Sequence, residues 1–480
     1  MSKLYVFGIG GTGSRVIKAL TMLLAAGVKC DVDTIVPVII DPDSASADLT
    51  RTVETMKKYE AIRSKLDFTS VNPNQFFRTE ILQSVLNYRL PLNNTQDVTF
   101  KDYMGVSTMS DSNTALVNML FSQSNLKSDM KIGFKGNPNI GSVVLNQFSD
   151  SQEFRGFANS FQQGDKIFIV SSIFGGTGAS GFPLLLKTLR SNDKIPNFKL
   201  IQDSPIGAVS VLPYFGVTQN NNSSIDSATF ISKTKSALSY YERNISDNNS
   251  VDSLYYIADE IRGQYDNNEG GSLQKNDAHL IELVSAFAIL DFAGSKPQDA
   301  NIRRTVHKEF GIEDIEDDQQ IIFKNLGKEL RNTLQVPLTQ FVLFRKYLTE
   351  ACMSEYSHQP WAKKFIWQKQ EVFDSSFFSS QFFSDLKTVQ EDFNTWLEEM
   401  DGNKRRFSPF KVKEANGSVF DIVKGCEIRK LKCISSNHAL IENSLNKQKS
   451  KVAKTVKREQ QFVELFYRAT KELVDKKYNF

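Results

Sequence analysis

The opening thirteen residues restrict the fold more than any other stretch of the chain. Leu4-Tyr5-Val6-Phe7 is an apolar run of strand type. Gly8-Ile9-Gly10-Gly11-Thr12-Gly13 follows at once and opens Ser14 to Ala26, where Val16, Leu20, Leu23 and Leu24 share one helical face. Strand, GxGxxG turn and helix in that order leave few architectures open. The glycines permit positive φ and close backbone approach, and the free N–H groups and positive dipole end of the helix suit a phosphate. About one strand-helix-strand unit later, Ile40-Asp41-Pro42-Asp43 ends a second apolar run, Ile35 to Ile40, and places Asp41 where a ribose could be bound. This first turn alone fits a dinucleotide enzyme, a mononucleotide binder or a turn that only packs helix on strand.

The strand-helix alternation continues. Further strands are expected at Lys166 to Ser171, Gly207 to Leu212 and Ser253 to Ile257, and helices at Gly181 to Leu189 and Ser224 to Tyr241. His279 to Leu290 is apolar almost all round and reads as a buried helix. These elements predict an α/β fold with a largely parallel sheet. Beyond about Lys296 the strand pattern gives way to helical periodicity: Phe382, Leu386, Val389, Phe393, Trp396 and Met400 make one face, and Val452, Val456, Val463, Phe466 and Leu473 another. The expected division is an α/β domain over 1–295 and a mostly helical region over 296–480. The helical region reads as a bundle packed on itself or on the α/β domain, with a partner-binding helix as the alternative. Trp361, Trp367 and the cluster Phe377, Phe378, Phe382 and Phe383 read as its core.

A second turn separates the alternatives for the first. Ile167 to Ile173 runs into Phe174-Gly175-Gly176-Thr177-Gly178-Ala179-Ser180-Gly181, another strand-to-helix turn with an array of backbone N–H donors. Two such turns from one sheet can hold a di- or triphosphate between them, whereas a dinucleotide dehydrogenase needs one. A third turn, Gly133-Phe134-Lys135-Gly136-Asn137-Pro138-Asn139-Ile140-Gly141, is ordinary turn chemistry alone and matters through its company.

Taken together these segments resemble the tubulin and FtsZ superfamily, and more closely its bacterial tubulin-like branch. Gly8 to Arg15 resembles the first nucleotide loop, Gly133 to Gly141 the third, and Ile167 to Gly181 the glycine-rich strand and loop that mark the family. Pro205 to Gly216 is similar to the next strand and fifth loop, Val251 to Asp259 to the strand before the base-binding turn, and Asn276 to Leu290 to the central helix. The resemblance implies GTP or GDP, with Mg2+ accompanying the nucleotide. It puts Gly10, Gly11, Thr12 and Gly13 at the α- and β-phosphates, and Gly175, Gly176, Thr177, Gly178 and Ser180 at the β- and γ-phosphates. Gly136 and Asn137 close over the γ-phosphate, and Asn276 reaches the base. Arg15 replaces an Asn that helps read guanine in the family, and so would meet phosphate, ribose or solvent. The fifth loop, continuing through Thr218-Gln219-Asn220, lacks the family's acid and base for ribose. Leu290-Asp291-Phe292-Ala293 echoes the catalytic loop, making Asp291 the candidate for orienting the attacking water on a neighbouring copy. The run Glu313 to Asp318 is another source of acid.

Composition bounds the rest. At 480 residues the chain is long enough for two or three domains, and no stretch reaches the ~18 uncharged apolar residues of a membrane helix. The start lacks a secretory h-region, and four scattered cysteines fit a reducing cytoplasm. Four dispersed histidines and the widely spaced Cys426, Cys433 and His438 give no metal site. The net charge of +3 divides into −7 over residues 1–400 and +10 over 401–480, where Lys447, Lys449, Lys451, Lys454, Lys457 and Arg458 form a basic stripe. That stripe suits an acidic surface on another copy or a partner protein; phosphate contacts to nucleic acid are possible, without a base-reading motif. The expected function is a guanine-nucleotide-binding protein that self-associates or assembles with partners, hydrolysing GTP. The alternatives are a non-hydrolysing nucleotide-bound scaffold or regulatory subunit and, more distantly, a Rossmann NAD(P) oxidoreductase.

Overall fold

A computed structural model describes the chain except residues 1, 69–71, 132, 135, 218–226, 261–263, 266–270, 272–274, 299–301, 313–319, 354–355, 364–371, 412–418, 430–436 and 453–455. Thr218, Gln219, Asn220, the acidic run Glu313 to Asp318, Trp367, Cys433 and Lys454 therefore lie outside the described residues. Among these, nine strands form in chain order: β1 (Lys3–Ile9), β2 (Thr34–Ile40), β3 (Glu80–Ile81), β4 (Lys166–Ser172), β5 (Ile206–Val211), β6 (Gly216–Val217), β7 (Ser253–Ile257), β8 (Gln264–Tyr265) and β9 (Val306–Lys308). Seven make one parallel sheet in the order β3-β2-β1-β4-β5-β7-β9, and β6 pairs with β8 separately. Every residue of β2, β4 and β5 is buried, so helices must cover both faces, which is why these strands read as unbroken apolar runs rather than alternating ones.

The principal helices are α1 (Gly10–Ala25), α2 (Ala47–Arg63), α3 (Pro138–Leu145), α4 (Gly176–Ser191), α5 (Ser227–Tyr241), α6 (Leu280–Gly294), α7 (Lys328–Tyr347), α8 (Gln381–Gly402), α9 (Asn437–Gln448) and α10 (Arg458–Lys477). Helix α6 is buried nearly all round, and its Phe292 ring lies 5.4 Å from that of Phe168 on β4. Gly207 on β5 makes that approach possible, because a Cβ there would come within 2.7 Å of both Phe168 and Phe292. The five expected strands are found as β1, β2, β4, β5 and β7, and the α/β architecture followed by helices agrees with the sequence reading.

One feature departs from it. Strand β9 extends the sheet on β7 from beyond the boundary expected at residue 295, and its three residues, two of them exposed, carry no apolar pattern to announce a strand. The helical region packs on the α/β part, one of the two arrangements expected for it, and shares a continuous core with it. Phe76 stacks on Phe344 of α7 at 5.7 Å and meets Tyr467 of α10 edge-on at 5.2 Å, while Arg51 of α2 pairs with Glu399 of α8 at 2.7 Å. Trp361, Phe377 and Phe383 pack around Phe462 inside that core. Much of the basic stripe is committed internally: Lys447 pairs with Glu472, Lys449 donates to the carbonyls of Pro360 and Lys363, and Arg458 pairs with Asp374.

Candidate functional site

Strand order reverses between β1 and β4: from β1 the sheet grows through β2 and β3, and from β4 through β5, β7 and β9 in the opposite direction. In open parallel sheets the crevice beyond the carboxyl ends of the strands at such a reversal is where ligands bind. Both glycine-rich strand-to-helix turns open at this reversal. They touch, since a Cβ on Gly10, whose φ is +71°, would lie 3.3 Å from the Thr177 Cβ. The third turn closes on the second: a Cβ on Gly176 would stand 3.0 Å from the Asn137 nitrogen and 3.1 Å from the Gly136 nitrogen. Neither α1 nor α4 has a side-chain cap, and α3 starts with Pro138 in its first turn. Three helices therefore bring their amino ends to one place, with the partial positive charge that this entails.

The expected phosphate residues divide by burial into two groups. Gly10, Gly13, Gly176, Gly178 and Ser180 are buried, whereas Gly11, Thr12, Gly136, Asn137, Gly175 and Thr177 are partly exposed. The buried glycines are needed for packing: a Cβ on Gly13 would meet Gly8 Cα at 2.7 Å, and one on Gly178 would meet the Ser172 carbonyl oxygen at 2.6 Å. Ser180 turns inward, its hydroxyl donating to the Gly176 carbonyl at 2.7 Å, and α3 packs on it through Gly141. The surface open to the crevice is thus the partly exposed set. The sequence reading missed Lys233 of α5, whose Nζ donates to the Gly136 carbonyl at 2.7 Å and brings a cation to the third turn. No spacing announces it.

Beside the turns lies a buried charge network. Arg15 donates through Nε to Glu282 (2.5 Å) and through its terminal nitrogens to Tyr214 Oη (2.9 Å) and Asp48 (3.4 Å). Asp48 also accepts from Arg51 and from the Asn276 side-chain amide, both at 2.7 Å. Arg15 is therefore turned away from solvent, with its side chain only 11% exposed, and the Asn276 amide is engaged with Asp48 in a loop before α6. Burial opposes the charge of Asp48, but Arg15, Arg51 and Asn276 outweigh it and hold its pKa below the ordinary value. For Glu282 burial wins and the pKa is raised, despite Arg15. His279 caps α6, its Nδ1 accepting from the Ile281 N–H at 3.1 Å while Glu282 accepts from the His279 N–H. Burial, aided by Arg15 and Arg405, pushes the His279 pKa down to about 3, keeping the neutral ring that this cap requires.

Asp41 sits just past the carboxyl end of β2, accepting from the Asp43 N–H at 3.0 Å, and Asp43 accepts from the Gly271 N–H. A Cβ on Gly133 would lie 3.9 Å from Pro42 Cγ, so the acidic turn borders the third glycine turn. Burial raises the Asp41 pKa from 3.8 to about 7, the Asp43 N–H offsetting only part of it. Well below pH 4 the carboxyl is protonated both folded and unfolded. As pH climbs from 4 to 7 the unfolded chain ionises first, so Asp41 weakens the fold progressively, and the loss levels off above pH 7. Asp41→Asn keeps the acceptor oxygen, and should raise stability at pH 8 by on the order of 2 kcal/mol while changing it little at pH 4. Urea unfolding at the two pH values measures this; equal effects at both would refute it.

Asp291 lies near the far end of α6 from these turns. Its carboxylate is 2.7 Å from Lys308 of β9 and accepts from the Tyr255 hydroxyl at 2.5 Å. Among the described residues, no group of three or more His, Cys, Asp or Glu side chains could hold a metal ion, and no helix is long and apolar enough to cross a membrane.

Neither a protein-family model nor a curated protein matches the chain. Among solved structures, CetZ1 from Haloferax volcanii, a GDP-bound monomer, aligns at TM-score 0.28 and 18% identity over 53% of this chain and 51% of that one. CetZ from Methanosaeta thermophila strain DSM 6194 gives TM-score 0.27 and 15% identity over 54% and 46%. CetZ2 from Haloferax volcanii, a GTPγS-bound protofilament, gives 0.28 and 16% over 61% and 58%. The aligned part spans about half the length of these proteins.

Proposed function

We propose that this chain is a tubulin/FtsZ-like protein that binds GTP or GDP in the crevice between the β1 and β4 turns, and that its nucleotide state controls self-association. The observation that carries the reading is the contact of Gly10 with Thr177 and of Gly176 with Gly136 and Asn137 at the reversal of strand order. A dinucleotide fold uses one glycine turn, whereas three meeting turns suit a chain of two or three phosphates. Gly11, Thr12, Gly175, Thr177, Gly136 and Asn137 are groups with access to it among the described residues, and Lys233 brings a cation near it. Gly10, Gly13, Gly176, Gly178 and Ser180 would shape the turns from beneath. Asp41 would border the site through Pro42, while Arg15 and Asn276 would act through Asp48 rather than by touching phosphate. Mg2+, if it accompanies the nucleotide, would be held chiefly by phosphate oxygens and water.

A fluorescent GDP analogue titrated against the full chain, with GTP, ATP and NAD as competitors, tests this directly. Guanine nucleotides should displace it, and NAD should not. Gly10→Val should weaken binding at least about a hundredfold, because a β-branched residue is strained at φ +71° and would press on Thr177. Displacement by NAD alone, or full affinity in Gly10→Val, would overturn the proposal.

A second reading, a nucleotide-bound scaffold that does not hydrolyse, is favoured by Asp291, whose carboxylate is occupied by Lys308 and Tyr255. Single-turnover phosphate release separates the two. A rate that rises with protein concentration supports an active site shared between copies, and its absence supports the scaffold.

A further inference from the structure

Lys18 of α1 takes no part in the glycine turns or in the charge network beside them. It is only 9% exposed, yet among the described residues its ammonium group makes no hydrogen bond or ion pair. Burial lowers its pKa, with Arg51 adding to the effect and Glu399, Asp392 and Glu282 opposing it. Carboxylates stand near the group without touching it. A buried ammonium with its donors unused is costly unless something completes its hydrogen bonding. A second donor nearby is in the same condition. Arg51 of α2 binds Asp48, Glu399 and the Asn276 carbonyl through its terminal nitrogens, but its Nε is buried without a partner among the described residues.

Both residues line one small cavity where α1, α2, α6 and α8 meet, with Glu282, Trp396 and Glu399 also on its walls. Its volume of about 10 Å³ is room for a single water molecule and too small for an organic ligand. The charges of its lining balance, since Arg15, Lys18 and Arg51 face Asp48, Glu282 and Glu399. A bound ion of either sign would upset that balance in a buried place. Acceptors are at hand. Glu399 takes bonds from Arg51 and from the Ala278 N–H, and a carboxylate has further lone pairs to offer.

We propose that this cavity holds one ordered water molecule, which accepts from Lys18 Nζ and Arg51 Nε and donates to the Glu399 carboxylate. A water so placed gives both orphan donors an acceptor and has the number of polar partners that buried waters usually have. No hydrogen bond or ion pair joins α1 directly to α8 among the described residues. The water is therefore a short polar link between these helices, beside the longer one through Asp48 and Arg51. It requires no nucleotide in the glycine turns.

A crystal structure of the full chain, at a resolution that shows ordered solvent, should place one density peak within about 3.2 Å of both Lys18 Nζ and Arg51 Nε. In solution, deuteron relaxation dispersion of the solvent reports long-lived internal waters. Lys18→Met keeps much of the side-chain length and removes the donors, so the dispersion amplitude should fall by the contribution of one water, with the fold checked by circular dichroism. Should that variant not fold, the crystallographic peak decides alone. A cavity without density in the unaltered chain, a Lys18 Nζ bonded directly to a carboxylate, or an amplitude unchanged in folded Lys18→Met would overturn the proposal.

Discussion

Gly13→Ala should destabilise the chain by about 3 kcal/mol or more, although alanine is the better helix former. Gly13 lies in the first turn of α1, where that helix crosses the end of β1, and the added methyl would come 2.7 Å from Gly8 Cα. Gly8 cannot withdraw, because β1 is hydrogen-bonded on one side to β2 and on the other to β4, pairing with Ile39 and Val170. Relief therefore requires lifting α1 from the sheet, against a helix buried along most of its length. Gly8→Ala should cost less, since its closest clash is with the movable Ile17 Cδ1 at 2.6 Å and backbone atoms of Gly13 stand at 3.0 Å. Gly156→Ala, an exposed helical position with nothing within 4 Å, should stabilise by about 0.5–1 kcal/mol. Urea midpoints for the three variants give the ranking. A Gly13→Ala protein within 1 kcal/mol of the unaltered chain would mean that the β1–α1 junction is looser than this geometry requires.

That junction was legible because its information is local: an apolar run, a glycine turn and a helix lie within 26 residues. The same holds for β4 and α4, where Ile167 to Ile173 enters a second glycine turn. What a one-dimensional pattern could not assign was the role of each glycine. Gly13, Gly176 and Gly178 read as phosphate contacts, yet they are buried and their missing side chains admit other backbone, whereas Gly11, Gly175 and Gly136 remain accessible. Spacing records that a side chain is absent without recording what takes its place. Helix α2 was readable and passed over: Leu49, Val53, Met56, Tyr59 and Ile62 recur at helical spacing and are buried. Strand β9 was not readable, because three residues on a sheet edge have no periodicity to show.

The passage from an α/β part to helices was legible in the sequence pattern; how the two meet was not. A change from strand to helical pattern near residue 296 reports local structure, but the core is built across that change. Phe76 from the first part meets Phe341, Phe344 and Tyr467 from the second. The charge contrast of −7 against +10 is similarly altered by folding, since Lys447, Lys449 and Arg458 are held by groups of the same chain. Salt bridges at such exposed positions contribute little to stability, but they reduce the basic surface available to another molecule.

Arg15→Met should cost about 3–5 kcal/mol, and the loss should be larger at pH 8 than at pH 4.5. Arg15 and Glu282 are each a charge within a largely buried helix, which announces that both need partners. It does not announce that the partner is 267 residues away. Removing the guanidinium leaves Glu282 buried without its cation, while Asp48 keeps Arg51 and Asn276. Burial has already raised the Glu282 pKa above its ordinary 4.5, and losing Arg15 raises it further. The folded variant then holds a proton that the unfolded chain releases, so its stability falls as pH rises from near 4.5 through the folded pKa and recovers on acidification. Adding Glu282→Met should restore part of the loss, because the orphaned carboxylate is gone; a double-mutant cycle measures the coupling. The network also ties α1 to α6 directly, and through Asp48, Arg51 and Glu399 to α8 of the helical region. Arg51→Met should therefore leave the Arg15–Glu282 coupling largely intact while loosening α8 from α2. Hydrogen exchange in α8 should rise in that variant without a comparable rise in α1. A uniform rise in both helices would show instead that the network fails as one unit.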